Sequence, residues 1–178
     1  MITIICGTNR PNSETIKFAR KFHELFAAKG AKVKLLDLAN IPHDWFFPEM
    51  HDASTQAPSI ARIQDEYIFP AEKLFIISPE YNGSYPGVLK LFLDAISIRD
   101  YPKNFKNKKA ALSGVASGRA GNLRGIDHLT GVLHHVGTTV MPQSLPISLV
   151  GTLFEKNGAI KASTVEVMNK FVEAFLDF

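Results

Sequence analysis

The sequence lacks most of the features that announce a functional class. It has a single cysteine, Cys6, so no internal disulfide can form and no thiolate pair can hold a metal, usage that agrees with a reducing cytoplasm. No apolar run reaches the ~20 residues needed to span a bilayer, so no membrane partner is expected. The opening residues, MITIIC, carry no basic n-region and meet a polar turn at once, which does not read as a signal peptide. Basic residues are scattered, with no arginine-rich tract and no interleaved aromatic platform, which argues against a nucleic-acid partner. The opening turn follows neither G-x-G-x-x-G nor G-x-x-x-x-G-K-[ST], so the commonest dinucleotide and nucleoside triphosphate readings fail.

What is present is ordinary for a soluble globular chain: 178 residues, 46% hydrophobic, 21% charged, net charge +3, with a pI near 9.0. That length fits one domain, residues 1–178, burying roughly 70% of the surface of the unfolded chain. Short β-branched apolar runs at 2–6, 32–38, 73–79, 108–117 and 138–142 read as strands covered on both faces. Helical spacing follows the first run, with Ile16, Phe18, Ala19, Phe22, Leu25 and Phe26 on one side and a stop at Gly30. Further helices are expected at about 59–70, 87–97, 122–136 and 162–178, with a proline-, aromatic- and acid-rich loop at 39–58. Such alternation predicts an α/β fold, an open parallel sheet flanked by helices, with ligands bound beyond the carboxyl ends of the strands.

Three unusual loops, 7–15, 79–86 and 117–122, follow the first, third and fourth strands and converge on that edge. In GTNRPNSET the start of a helix offers free N–H groups and the positive end of a dipole, Thr8, Ser13 and Thr15 add hydroxyls, and Arg10 adds a guanidinium. Such a turn can hold a phosphate. Alternatively Ser13 merely caps the helix. In SPEYNGSYPG, Asn82 and Gly83 suit positive φ, Tyr81 offers an aromatic face, and Pro86 with Gly87 opens the next helix. That loop can present backbone groups to a flat heterocycle.

Three stretches, GTNRPNSET, PEYNGSYPGVLKLFLDAIS and SGRAGNLRGIDHLTGVLHHVGTTVMP, resemble the NADPH-dependent FMN reductase family in order and spacing, over most of residues 2–142. The resemblance implies a flavodoxin-like, open five-stranded parallel sheet of order 2-1-3-4-5 with helices on both faces. It implies FMN as cofactor and NADPH or NADH as electron donor, hydride passing to flavin N5 and electrons then to free flavin, a quinone, an azo compound or a metal ion. Thr8, Arg10, Ser13 and Thr15 would hold the phosphate, Pro79, Glu80, Tyr81, Asn82 and Gly83 would surround the ring, and Ser117, Gly118, Arg119 and Gly121 would line its other side. Thr8 replaces the family's usual serine and Thr15 its asparagine. Since the flavin carries the chemistry, no catalytic side chain is expected. Tyr81 is expected to stack on a ring with its hydroxyl in water, and Glu80 to meet flavin only through its main chain. Family members are commonly dimers or tetramers, so a homo-oligomer is expected. The rival readings are a flavodoxin-like electron carrier, disfavoured by the basic charge, and a flavin-binding protein without turnover.

Other candidates read as structural. Cys6 reads as a small buried thiol rather than a nucleophile. His43, Asp44, His51 and Asp52 read as solvated loop residues rather than metal ligands. His134 and His135 suit the end of a helix, Lys90 and Asp94 suit an i, i+4 pair, and Arg124 reads as a solvated helix charge. Trp45, Phe46 and Phe47 either pack as core, overhang the flavin or join a subunit interface.

Overall fold

The first apolar run forms β1 (Ile2–Cys6), buried at every position because it lies inside the sheet with a strand on each side. In this computed structural model, which describes residues 1–178, β1 pairs in parallel with β2 (Val33–Asp37) on one side and β3 (Lys73–Pro79) on the other. β3 in turn pairs with β4 (Lys109–Val115), Ile77 opposite Ser113. The sheet order is β2-β1-β3-β4-β5, as the resemblance implies. Its direction of winding reverses at β1, which puts the switch point, and the loops after β1 and β3, side by side.

One expectation needs correction. In place of a single fifth strand at 138–142, the edge carries two short strands, β5 (Thr139–Val140) and β6 (Leu145–Ile147), both parallel to β4, so the sheet has six strands. Pro142 has no N–H to give to the ladder. The chain leaves the sheet there, and pairing resumes where the Leu145 carbonyl accepts from Ser113 Oγ at 2.9 Å and the Ile147 carbonyl accepts from Ala116 N at 3.0 Å.

One face of the sheet is covered by α1 (Glu14–Ala28) and α6 (Ala162–Asp177). Helical spacing in α1 delivers Phe18, Phe22 and Phe26 to that face, and α6 adds Phe171 and Phe175, all within one cluster around Phe75 of β3. Burying each such ring contributes about 1.5–3 kcal/mol. Ser13 caps α1, its hydroxyl accepting from Ile16 N at 3.3 Å.

The opposite face is covered by α2 (Pro58–Ile63), α3 (Gly87–Ile96) and α5 (Leu123–His135). The helix expected over 59–70 keeps α geometry only to Ile63, then widens into a π turn over Gln64–Ile68, in which Phe69 N donates to Gln64 O at 2.8 Å. The wider turn turns the Gln64 amide inward. Its Nε2 donates to the carbonyls of Ile96 and Arg99 at 2.8 and 3.1 Å and to Asn104 Oδ1 at 2.9 Å. Asn104 belongs to α4 (Tyr101–Phe105), a short helix absent from the sequence reading. No helix is long and apolar enough to cross a membrane.

Candidate functional site

The chain leaves β1 at Cys6 and turns at Gly7, where a Cβ would stand 2.8 Å from Leu89 Cδ2 of α3. Cys6 is fully buried, and burial together with the nearby Asp37 carboxylate pushes its thiol well above the usual range. It is therefore a buried strand thiol without nucleophilic character. The turn reaches α1 through Asn12, which adopts φ 53°. The amides of Asn12, Ser13, Glu14 and Thr15 donate to no group of the protein, and they cluster at the positive end of the α1 dipole. Arg10 is exposed and Ser13 and Thr15 are nearly buried, and all three line a cleft of about 300 Å³. Pro79, Glu80, Tyr81 and Ser117 border the same cleft, so the loops after β1, β3 and β4 meet there. Glu14 also lines it, with its charge countered by Lys17 at 3.0 Å.

Thr8, expected at the phosphate, is not among the residues that border this cleft. It is fully buried, and its hydroxyl lies 2.7 Å from the Tyr81 hydroxyl and accepts from Arg10 N at 3.1 Å. The Tyr81 hydroxyl is thus bonded to protein, and the expectation that it stands in water is corrected. Nothing in either local motif reveals a pair 73 residues apart.

Tyr81 and Ser84 exchange backbone hydrogen bonds of 2.9 and 3.1 Å across Asn82 and Gly83, whose φ angles are 51° and 77°. Asn-Gly with two positive φ values makes a tight primed turn. Arg124 reaches over it: a Cβ on Gly83 would meet Arg124 Nη1 at 2.8 Å. Arg124 is exposed on α5, as expected of a solvated helix charge, with its guanidinium beside the Asn82-Gly83 turn. One helical turn on, His128 Nδ1 lies 2.9 Å from Ser84 Oγ. Sequence reasoning missed His128, and the only available signal is its i, i+4 relation to Arg124 on one face of α5.

Asn122 was missed as well. Its side chain is fully buried, and Nδ2 donates to the carbonyls of Ser78 at 3.1 Å and Pro79 at 2.9 Å, tying the end of β3 to the start of α5. Gly121, at φ 57°, leaves no room for a Cβ against Pro146 and Ser148. Ser117, Gly118 and Arg119 are exposed on the same turn, and Glu80 N donates to Val115 O at 3.1 Å.

On the far side of Tyr81 lies a second cleft of about 420 Å³, bordered by Asn9, His43, Trp45, Phe46, Pro86, Val88 and Leu91. The aromatic trio divides: Trp45 is 3% exposed and meets Phe92 edge-on, Phe47 packs partly against the same core, and Phe46 is 66% exposed. Asp44 accepts from Ser59 Oγ and Asp52 from Ser54 N. Lys90 and Asp94 pair at 2.7 Å, and His134 and His135 are exposed in the last turn of α5.

Unpaired amides, two hydroxyls and a guanidinium at one end of a cleft, with the backbone of Pro79–Tyr81 along its side, fit a flat molecule that carries a phosphate, as FMN does. Residues 1–151 match the pattern of the NADPH-dependent FMN reductase family. The chain is 28% identical over 177 residues to a 2-hydroxy-1,4-benzoquinone reductase of a Burkholderia species, covering 99% of this chain and 92% of that one. It is 34% identical over 121 residues to an FMN-dependent NADPH-azoreductase of Staphylococcus aureus, covering 65% of this chain and 60% of that one. A solved flavoenzyme NAD(P)H:(acceptor) oxidoreductase from Paracoccus denitrificans superposes with a TM-score of 0.81 at 28% identity, covering 99% and 94% of the two chains. A flavodoxin from Bacillus cereus, at a TM-score of 0.64 and 16% identity over 99% and 97% of the chains, shares the fold. The chain belongs to the NADPH-dependent FMN reductase family.

Proposed function

We propose that this enzyme holds FMN in the cleft below the β1 turn, takes reducing equivalents from NADPH and delivers them to a planar small-molecule acceptor such as a quinone or an azo compound. The observation that carries the reading is the meeting of unpaired α1 amides and Arg10 with Pro79, Glu80, Tyr81 and Ser117 on one cleft. Bound FMN would supply the chemistry, accepting hydride at N5 and releasing electrons, which no side chain of the protein can do. Arg10, Ser13, Thr15 and the amides of Asn12–Thr15 bind the phosphate. Pro79, Glu80, Tyr81, Asn82 and Gly83 flank one side of the ring, and Ser117, Gly118, Arg119 and Gly121 the other. The Arg124 guanidinium beside Gly83 and the backbone amides of both loops stabilise negative charge on the reduced ring.

The second cleft receives the acceptor: five of its nine bordering residues are apolar, and Asn9 and His43 supply polar contacts. A groove of about 570 Å³ between α3 and α5, with Leu93, Tyr101 and Val132 among its borders, is the surface for a second copy of the chain. The unit acts as one domain, residues 1–178, in the cytoplasm. A carrier role fits less well, since electron carriers of this fold are typically acidic and this chain has a net charge of +3.

An anaerobic visible spectrum of protein reconstituted with FMN, taken before and after NADPH with NADH in parallel, tests the reading. Bleaching of the bound-flavin bands by NADPH is the expected result. Bound flavin that neither nucleotide bleaches would leave a carrier or binding protein. Arg10→Ala is expected to weaken FMN roughly ten- to a hundredfold, the loss of a charge-assisted bond, and to leave riboflavin binding unchanged.

A further inference from the structure

We infer that Thr8 is not a phosphate ligand and instead positions Tyr81 as the partition between the two clefts, an assignment that rests on the FMN reading above. Thr8 is fully buried at the end of β1, and its hydroxyl has two partners inside the protein, Arg10 N at 3.1 Å and Tyr81 Oη at 2.7 Å. A hydroxyl offers one donor and two acceptor lone pairs. The Arg10 amide takes one lone pair and the tyrosine takes either the donor or the second lone pair, at the ordinary length for an O–H···O bond. Meanwhile Arg10, Ser13 and Thr15 border the phosphate cleft and Thr8 does not.

Tyr81 borders both clefts, so the place of its ring sets the width of each. Its backbone is fixed by the two bonds to Ser84 and its far end by Thr8, so the ring is held at both ends. Swinging it out would leave the buried Thr8 hydroxyl without that partner, an unfavourable state. The branched Cβ of threonine restricts χ1, which fixes the hydroxyl more firmly than serine would. The same oxygen also accepts from the Arg10 amide, a bond inside the turn itself.

Four proteins test this: Thr8→Val, which keeps the shape and removes the hydroxyl, Thr8→Ser, Tyr81→Phe and the Thr8→Val/Tyr81→Phe double variant. Affinities for FMN and for riboflavin are read by flavin-fluorescence titration. Thr8→Val is expected to weaken both ligands equally, about two- to tenfold, and to shift the visible band of the bound flavin. Thr8→Ser restores both, and in the Tyr81→Phe background Thr8→Val adds little. A phosphate ligand would behave otherwise: FMN weakened far more than riboflavin, with the effect intact in the Tyr81→Phe background, and that result overturns the assignment. Thermal destabilisation by Thr8→Val with both affinities and the spectrum unchanged also overturns it, since the role is then only structural.

The tie is also read without flavin. In flavin-free protein labelled with 3-fluorotyrosine, four tyrosine lines are expected, and Tyr81→Phe identifies the one that matters. Thr8→Val must shift that line, whereas Thr8→Ser must leave it nearly in place; an unmoved line overturns the tie whatever flavin does. A moved line in a protein that binds neither flavin would uphold the tie and overturn the FMN reading.

Discussion

The two faces of the sheet are built from different chemistry. Beneath α1 and α6 the packing is aromatic: Phe22 and Phe26 lie 4.5 and 5.4 Å from Phe75, and Phe171 and Phe175 lie 5.9 and 6.0 Å from it, centroid to centroid. Beneath α2, α3 and α5 the apolar core is interrupted by directional bonds. Gln64 reaches three partners there, and Arg99 closes the set with Asp65 and the Ala61 carbonyl. Area burial is non-directional and stabilises any close packing, whereas hydrogen bonds fix where backbone goes. Both faces bury an apolar core, and the bonded face in addition fixes the ends of α3 and α4 and, through Asn122 and His128, the loop that flanks the cleft.

Substitutions can break that comparison. The largest loss is expected from Phe75→Ala, about 3–5 kcal/mol by urea unfolding, because the cavity opens among four other rings. Gln64→Leu is expected to cost about 1–3 kcal/mol, since it removes the donor to the Ile96 carbonyl and to Asn104 Oδ1, while the Arg99 carbonyl keeps only its bond from Asn104 Nδ2. Equal losses from the two would mean that the bonded face contributes to stability as the aromatic one does. A smaller effect sharpens the comparison at the site. Gly30 and Gly83 both have φ 77°, but a Cβ at Gly30 meets nothing within 4 Å whereas one at Gly83 meets Arg124. Gly30→Ala and Gly83→Ala should each cost about 1 kcal/mol of stability through backbone strain. Only Gly83→Ala should also weaken FMN and shift its visible spectrum, because only there does the guanidinium have to move. FMN binding unchanged in Gly83→Ala would remove Arg124 and the Asn82-Gly83 turn from the ring site.

Much of this was legible in sequence, for physical reasons that also mark the limits. Continuous β-branched runs such as Ile2–Cys6 announce buried parallel strands, and the phenylalanine spacing of α1 announces which face it covers. Asn82-Gly83 announces its own turn because few other residues tolerate those φ angles. Interactions set by tertiary packing left no trace. The helical periodicity of 59–70 is the same for an i+4 as for an i+5 bond at Gln64, so the π turn was invisible. Thr8 meeting Tyr81, Asn122 meeting Ser78 and Pro79, and Arg124 meeting Gly83 all join loops distant in sequence. Trp45, Phe46 and Phe47 share one chemistry, and only the course of the backbone sends the first inward and the second out.

That last pair of residues carries the smallest expected effect on stability and one of the sharpest on function. Phe46 is 66% exposed, so Phe46→Ser should change stability by no more than about 0.5 kcal/mol. It borders the second cleft and not the first, so FMN affinity should stay at the wild-type value. If a planar acceptor docks beside it, the quinone concentration giving half-maximal turnover should rise several-fold. The chain contains one tryptophan, Trp45, which borders the same cleft and reports on it directly. Anthraquinone-2-sulfonate should quench its emission in flavin-free protein at lower concentration for the wild type than for Phe46→Ser. Identical quenching curves, together with unchanged turnover, would take the acceptor out of this cleft and leave the exposed phenylalanine for contact with another surface.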